Sequence, residues 1–184
     1  MRNVFIACCL LLFWSSCSET TENPDGRPSI DDLKAQITEM DDSLKVYYAE
    51  VMNGNADKVP ARAIEKTIGL HFQFYHYYPN DEFAPECLDK IHQLHLQNKE
   101  YTKSVQTCDT LIAKYPTYKK RNEIYLSAGS TYDYFLRDST HAKKYYELLL
   151  KNPKLDQDTR ESVQFRLKHL GLTLDEMIAL QMKK

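Results

Sequence analysis

Three prolines, Pro79, Pro116 and Pro153, stand 37 residues apart, and each closes an apolar stretch: "FYHYYP", "LIAKYP" and "LLLKNP". Proline removes a backbone donor and disfavours the α conformation of the residue before it, so each marks a helix that must stop. An apolar helix stopped three times at one interval predicts a chain built from repeated helical units. The residues between the prolines agree. In "EYTKSVQTCDTLIAKYP" the apolar positions Tyr101, Val105, Cys108, Ile112 and Tyr115 are spaced four, three, four and three, which lays one stripe along a 3.6-residue helix. Before it, Ala84, Leu88, Ile91 and His95 stripe another helix, with Pro85 suited to its first turn. The two stripes meet if the chain reverses at Asn98–Lys99.

The following residues repeat this arrangement. Tyr125, Ala128, Tyr132 and Phe135 stripe one helix, with Asn122 as its expected cap and Glu123 in its first turn. Ala142, Tyr145 and Leu149 stripe its partner. An earlier pair is predicted from Ser29 with Asp32 to about Asn53, and from Ala61 to Tyr78. After Pro153, Asp156 or Asp158 opens a helix with Val163, Leu167 and Leu170 on one face. Gly171 ends it, and Thr173 with Glu176 forms a capping box for a last short helix.

The two middle units resemble the tetratricopeptide repeat, a helix–turn–helix unit of about 34 residues. With Pro116 and Pro153 on the late proline of that motif, the units are 84–117 and 121–154. In the second, Tyr125, Gly129, Tyr132 and Tyr145 match the first aromatic, the glycine, the central tyrosine and the late aromatic. In the first, Leu88, Tyr101, Cys108 and Pro116 match, whereas His92 stands where the motif has a small residue. The wording of 78–116 is similar to repeats of periplasmic lipoproteins of the outer-membrane assembly and Tol-associated type. The resemblance implies an all-α, tetratricopeptide-like solenoid of about three hairpins: an N-terminal hairpin over 29–79, two repeats over 80–154, and capping helices over 155–184.

The first residues belong to a different kind of segment. One early cation, Arg2, precedes an unbroken apolar run from Val4 to Trp14. Eleven residues are too few for a helix across a bilayer, which takes about 20, but they suit the core of a signal peptide. Ser15, Ser16 and Cys17 follow, so the segment resembles a bacterial lipobox with Cys17 as the acylated residue and 1–16 removed. Trp14 departs from the leucine usual at that position. Residues 17–28 then read as a tether, because "SETTENPDGRP" holds no hydrophobic side chain. These features predict a lipid-anchored protein of the bacterial cell envelope, with the outer membrane favoured over the inner and the body in the periplasm or at the surface.

With 24 Lys and Arg against 26 Asp and Glu, the chain lacks the basic excess that nucleic-acid binding requires. Of the cysteines beyond Cys17, Cys87 and Cys108 are expected as buried apolar groups, although export would permit a disulfide. His92 and His95, three apart, share a helix face without a third ligand nearby and are expected as packed or hydrogen-bonded side chains; His71 and His76 are five apart and not on one face. Asp41 with Asp42, and Asp81 with Glu82, read as solvated acids. No catalytic constellation, metal set or cofactor motif is expected.

The function these features predict is non-enzymatic: a scaffold that binds other envelope proteins or peptides. By the resemblance, its concave face would be lined by Glu86, Asp89, Gln93 and Leu96, then by Glu123, Leu126, Ser130, Asp133 and Tyr134. The alternative is a surface lipoprotein that captures a small ligand such as a glycan through the aromatics of "HFQFYHYY", residues 71–78.

Overall fold

A computed structural model describes residues 26–182. Among them the chain is all-α, in the order α1 (Ile30–Met52), α2 (Ala61–Tyr77), α3 (Ala84–Gln97), α4 (Tyr101–Lys114), α5 (Arg121–Ser130), a π-helical turn (Thr131–Phe135), α6 (Ser139–Leu150), α7 (Gln157–Lys168) and α8 (Leu174–Gln181). No described helix is long and apolar enough to cross a membrane. Cys17, the expected lipid site, lies outside the described residues.

The punctuation predicted from sequence sets most helix ends. The Ser29 hydroxyl accepts from the Asp32 amide at 3.1 Å and opens α1, satisfying one of the donors that a helix start leaves unpaired. The Asp156 carboxylate does the same for Thr159 at 2.8 Å, and Thr173 with Glu176 forms the capping box of α8. Asn122 does not cap α5: the helix starts at Arg121 with Lys120 before it, so Asn122 already lies in the first turn. Asp138, unforeseen, caps α6 by accepting from the amides of Thr140 and His141.

At the first two prolines the residue before Pro takes nearly the same backbone shape, Tyr78 at φ −128°, ψ 56° and Tyr115 at φ −128°, ψ 66°. Both tyrosines also do the same work. The Tyr115 hydroxyl donates to the Pro79 carbonyl at 2.6 Å, and the Tyr78 hydroxyl donates to the Pro28 carbonyl at 2.6 Å. Tyr115 thereby ties its turn to the preceding proline turn, and Tyr78 ties its turn to the residues before α1. The third proline departs from this pattern, because α6 ends one residue sooner relative to Pro153.

The helices pack chiefly against their neighbours in sequence, α1 on α2, α2 on α3, and so on to α6 on α7. The apolar interior is divided accordingly. Leu33, Ile37, Phe74 and Cys87 join α1, α2 and α3; Leu44, Ala63, Ile64 and Leu94 join the same three farther along. Leu88, Ile91, Cys108, Leu111, Tyr118, Ile124, Ala128 and Tyr145 join α3 through α6, and Ala142, Tyr146, Leu149 and Val163 join α6 to α7. Cys87 and Cys108 are both buried and free, in separate clusters. At Gly129 α5 lies close against α6: a Cβ there would stand 2.8 Å from the ring of Tyr146.

The π turn corrects the pattern past Ser130. Its winding changes the angular step per residue, so faces assigned at 3.6 residues per turn no longer hold. Phe135, expected on the inward stripe, is 52% exposed and stacks on Tyr101 with ring centres 4.2 Å apart. Asp133, expected on an open face, is buried.

Candidate functional site

α3 and α5 face each other across an open depression of about 250 Å³. α3 contributes Gln93, Leu96 and Gln97; Lys120, Glu123 and Ser127 stand opposite, and Asp89, His92 and Ile124 form the floor. A second depression of about 270 Å³ opens on the other flank of α5, where Leu126, Leu149 and Leu155 lie among Asn122, Asn152 and Asp156. Glu123 lines both. A larger, shallower space of about 670 Å³ lies elsewhere, between Lys34 and the turns carrying Phe83, Pro85, Thr117 and Lys119.

His92 builds the floor of the first depression. Its Nδ1 is 2.8 Å from the Ser104 hydroxyl on α4, and its Nε2 is 2.9 Å from the Ser127 hydroxyl on α5. One ring nitrogen carries the proton and donates; the other accepts from a serine hydroxyl. The imidazole therefore pins three helices at one point. Burial holds its pKa below the ordinary histidine value, which keeps it neutral. Cys108 approaches the same Nδ1 at 3.1 Å, but burial, with help from Asp109 and Asp89, raises its thiol pKa well above the ordinary value. Both partners are held neutral, so the pair forms no thiolate–imidazolium couple of the kind that activates a nucleophile.

The upstream end is a closed polar clamp. The Tyr118 hydroxyl donates to Glu86 at 2.8 Å and to Asp89 at 3.0 Å. Lys120 reaches the same two carboxylates at 3.1 and 3.2 Å, and Lys119 pairs with Glu86 at 2.8 Å. Burial pushes the Glu86 carboxyl up, but hydrogen bonds from Lys119, Tyr118 and Lys120 outweigh it and hold the pKa at about 2.

The expected lining residues thus divide. Gln93, Glu123 and Leu126 are exposed, while Leu96 and Ser130 are half-buried. Glu86 is engaged by its lysines, and Asp89, 4% exposed, is already bonded to Gln93, Tyr118 and Lys120. Asp133 forms a buried ion pair with Arg166, and Tyr134 lies under the same guanidinium at 4.5 Å. Asp89 and Asp133 therefore hold the structure together: Asp133 is closed off in the interior, and Asp89 reaches only the floor of the first depression. Sequence reasoning expected His92 as a packed or hydrogen-bonded side chain, which it is, but missed its partners and missed Lys120 and Arg166 as organisers, because the partners lie 12 to 35 residues away on other elements.

The other candidates resolve similarly. His95 pairs with Glu100 at 2.7 Å and does not converge with His92; among the described residues, no three His, Cys, Asp or Glu side chains are grouped to hold a metal. Asp41 is not a solvated acid: it is half-buried, 3.0 Å from Lys90 and 3.4 Å from His71. Asp81 accepts from the Phe83 amide at 2.8 Å and pairs with Lys34 at 3.3 Å. In the aromatic run, Phe74 is fully buried, Tyr75, Tyr77 and Tyr78 are half-buried, and Phe72 remains exposed. The rings that a sugar would need as a platform are mostly spent on packing.

No known protein-family model matches this chain. A comparison with curated proteins likewise returns no match.

Proposed function

We propose that the chain is a non-enzymatic adaptor of the bacterial cell envelope: a tetratricopeptide-like helical array, tethered through a lipid on Cys17, that binds a segment of another envelope protein. The observation that carries this reading is the pair of open depressions flanking α5, with exposed Leu126 on the second. They combine apolar anchors with polar rims, the make-up of a groove for an extended or helical segment. The Tyr115–Pro79 bond, which ties one proline turn to the preceding one, and the close Gly129–Tyr146 contact support the repeat reading. The mostly packed state of the rings of 72–78 counts against the glycan alternative.

Site-specific photo-crosslinking in cells tests the proposal. A photoreactive residue at Gln93 or Leu126 is expected to give one discrete heterologous product, and the same residue at Gln106 or Thr110, on α4, to give none. Leu126→Glu should abolish the product formed from position 93. Equal labelling from both sets of positions, or none from the groove, would refute the assignment.

A further inference from the structure

Gly69 sits in the middle of α2, exposed, and a Cβ added there would meet nothing within 4 Å. Neither space nor a left-handed backbone requires glycine at this position. Glycine in a helix interior nevertheless weakens the helix relative to alanine. Packing within the monomer gives no reason for it.

Its neighbours on the same face supply one. Phe72, three residues on, is 54% exposed. It is braced by His76, which stacks on it at 6.2 Å and 13°, and by Tyr75, tilted against it at 6.2 Å and 58°. An exposed ring held by two others is a preformed knob, and the bare backbone at Gly69 is a notch of matching kind. With the exposed Glu65, these residues form the sequence Glu65, Gly69, Phe72, His76, spaced four, three and four. That spacing makes one straight stripe on a helix, the pattern of a helix–helix seam.

The stripe is complementary to itself. About a twofold axis passing between Leu70 and His71, an antiparallel second α2 sets its Phe72 opposite Gly69 and its His76 opposite Glu65. Each knob meets a notch, and each carboxylate meets an imidazole that can donate to it. Glycine allows the two backbones to approach to the close end of the usual interhelical range, about 8 Å. The axis lies near the middle of α2, so nearly the whole helix overlaps its copy. This symmetry is that of an isologous dimer, in which one patch serves both sides.

We propose that the chain self-associates through α2, a second copy occupying the stripe with Phe72 of each copy seated on Gly69 of the other. A single-helix seam is smaller than the roughly 1,200 Å² of a standard interface, so the dimer is weak and depends on concentration. The proposal is independent of the depressions beside α5.

The test is crosslinking between two differently tagged copies of the full chain, one carrying Glu65→Cys and the other His76→Cys, with a short bismaleimide. The unmodified chain sets the background. The mixed pair is expected to crosslink, whereas two Glu65→Cys copies are not, since their cysteines would lie about 16 Å apart along the helices. Adding Gly69→Leu to both copies should bring the mixed product to background while circular dichroism remains helical. Absence of the mixed product, its survival with Gly69→Leu, or equal product from two Glu65→Cys copies would overturn the proposal.

Discussion

Removing the Arg166 guanidinium should detach the C-terminal helices. Arg166 lies on α7 and reaches into the interior: its side chain is 5% exposed, and that of its partner Asp133 is fully buried. Its Nη2 donates to the Asp133 carboxylate at 2.7 Å and to the Leu172 carbonyl at 3.0 Å, and its Nη1 meets the Met177 sulfur. One side chain thus joins the π turn, the α7–α8 loop and α8. Arg166→Ala leaves the Asp133 carboxylate buried with only the long contact from the Tyr146 hydroxyl, 3.4 Å away. Breaking a buried ion pair by removing one partner costs about 3–5 kcal/mol, because the remaining charge stays desolvated. For a chain of this size that corresponds to a fall in Tm of about 6–20 °C. The only tryptophan is Trp14, outside the described residues, so far-UV circular dichroism and hydrogen exchange are the proper readouts. Exchange should rise first in peptides covering 157–182. Replacing both partners by apolar residues, Asp133→Leu with Arg166→Met, should recover much of the loss, since the penalty comes from the orphaned charge. If Arg166→Ala costs less than about 1 kcal/mol, as an exposed pair would, and exchange in 157–182 is unchanged, the latch does not exist.

Gly129→Ala should destabilise by about 1–3 kcal/mol through overpacking despite alanine's better helix propensity, because the ring 2.8 Å from the new Cβ belongs to Tyr146, whose hydroxyl is held near Asp133; a rise in the urea midpoint would show that the ring moves aside freely. His92→Leu should cost about 1–3 kcal/mol in urea unfolding by leaving buried hydroxyls unpaired, and Ser104→Ala in the same chain should cost less than it does alone; strictly additive losses would refute the bridge. The Glu86 carboxyl is depressed from 4.5 to about 2, so its contribution is complete above about pH 4.5 and is lost as pH falls toward about 2. Acid titration of stability should be shallower in Glu86→Gln over that window, and an identical slope would remove Glu86 from the clamp.

The helix plan was legible because the signals for it are local. Pro79, Pro116 and Pro153 stop helices through their own covalent geometry, and Thr173 with Glu176 closes a cap within one turn, so neighbouring residues suffice to place α2, α4, α6 and α8. The start of α5 was misplaced by two residues because Asn122 has the chemistry of a cap, but α5 begins at Arg121 behind Lys120, which makes no side-chain cap bond. Past Ser130 the reading failed for a different reason. The π turn is favoured by tertiary contacts, with Asp133 drawn inward by an arginine 33 residues away, and a periodicity argument contains no term for such a partner. In the candidate site, Gln93, Leu96, Glu123 and Leu126 were accessible to face-counting, whereas the closure of Asp89 by Tyr118 and Lys120 was not.

The size of the His92 side chain bears on the presence of an opening between α3 and α5. A small residue at that position would allow α3, α4 and α5 to close on one another, as tight helix crossings do. An imidazole cannot be compressed, and hydrogen bonds to Ser104 and Ser127 fix it on both sides, so the ring holds its place between the three helices. The space beside it is the depression rimmed by Gln93, Gln97 and Glu123. Floor and rim should therefore respond differently to substitution. A change at Glu123 or Gln93 alters contact with whatever enters and leaves the width intact. A change at His92 alters the width itself, and with it every contact at once.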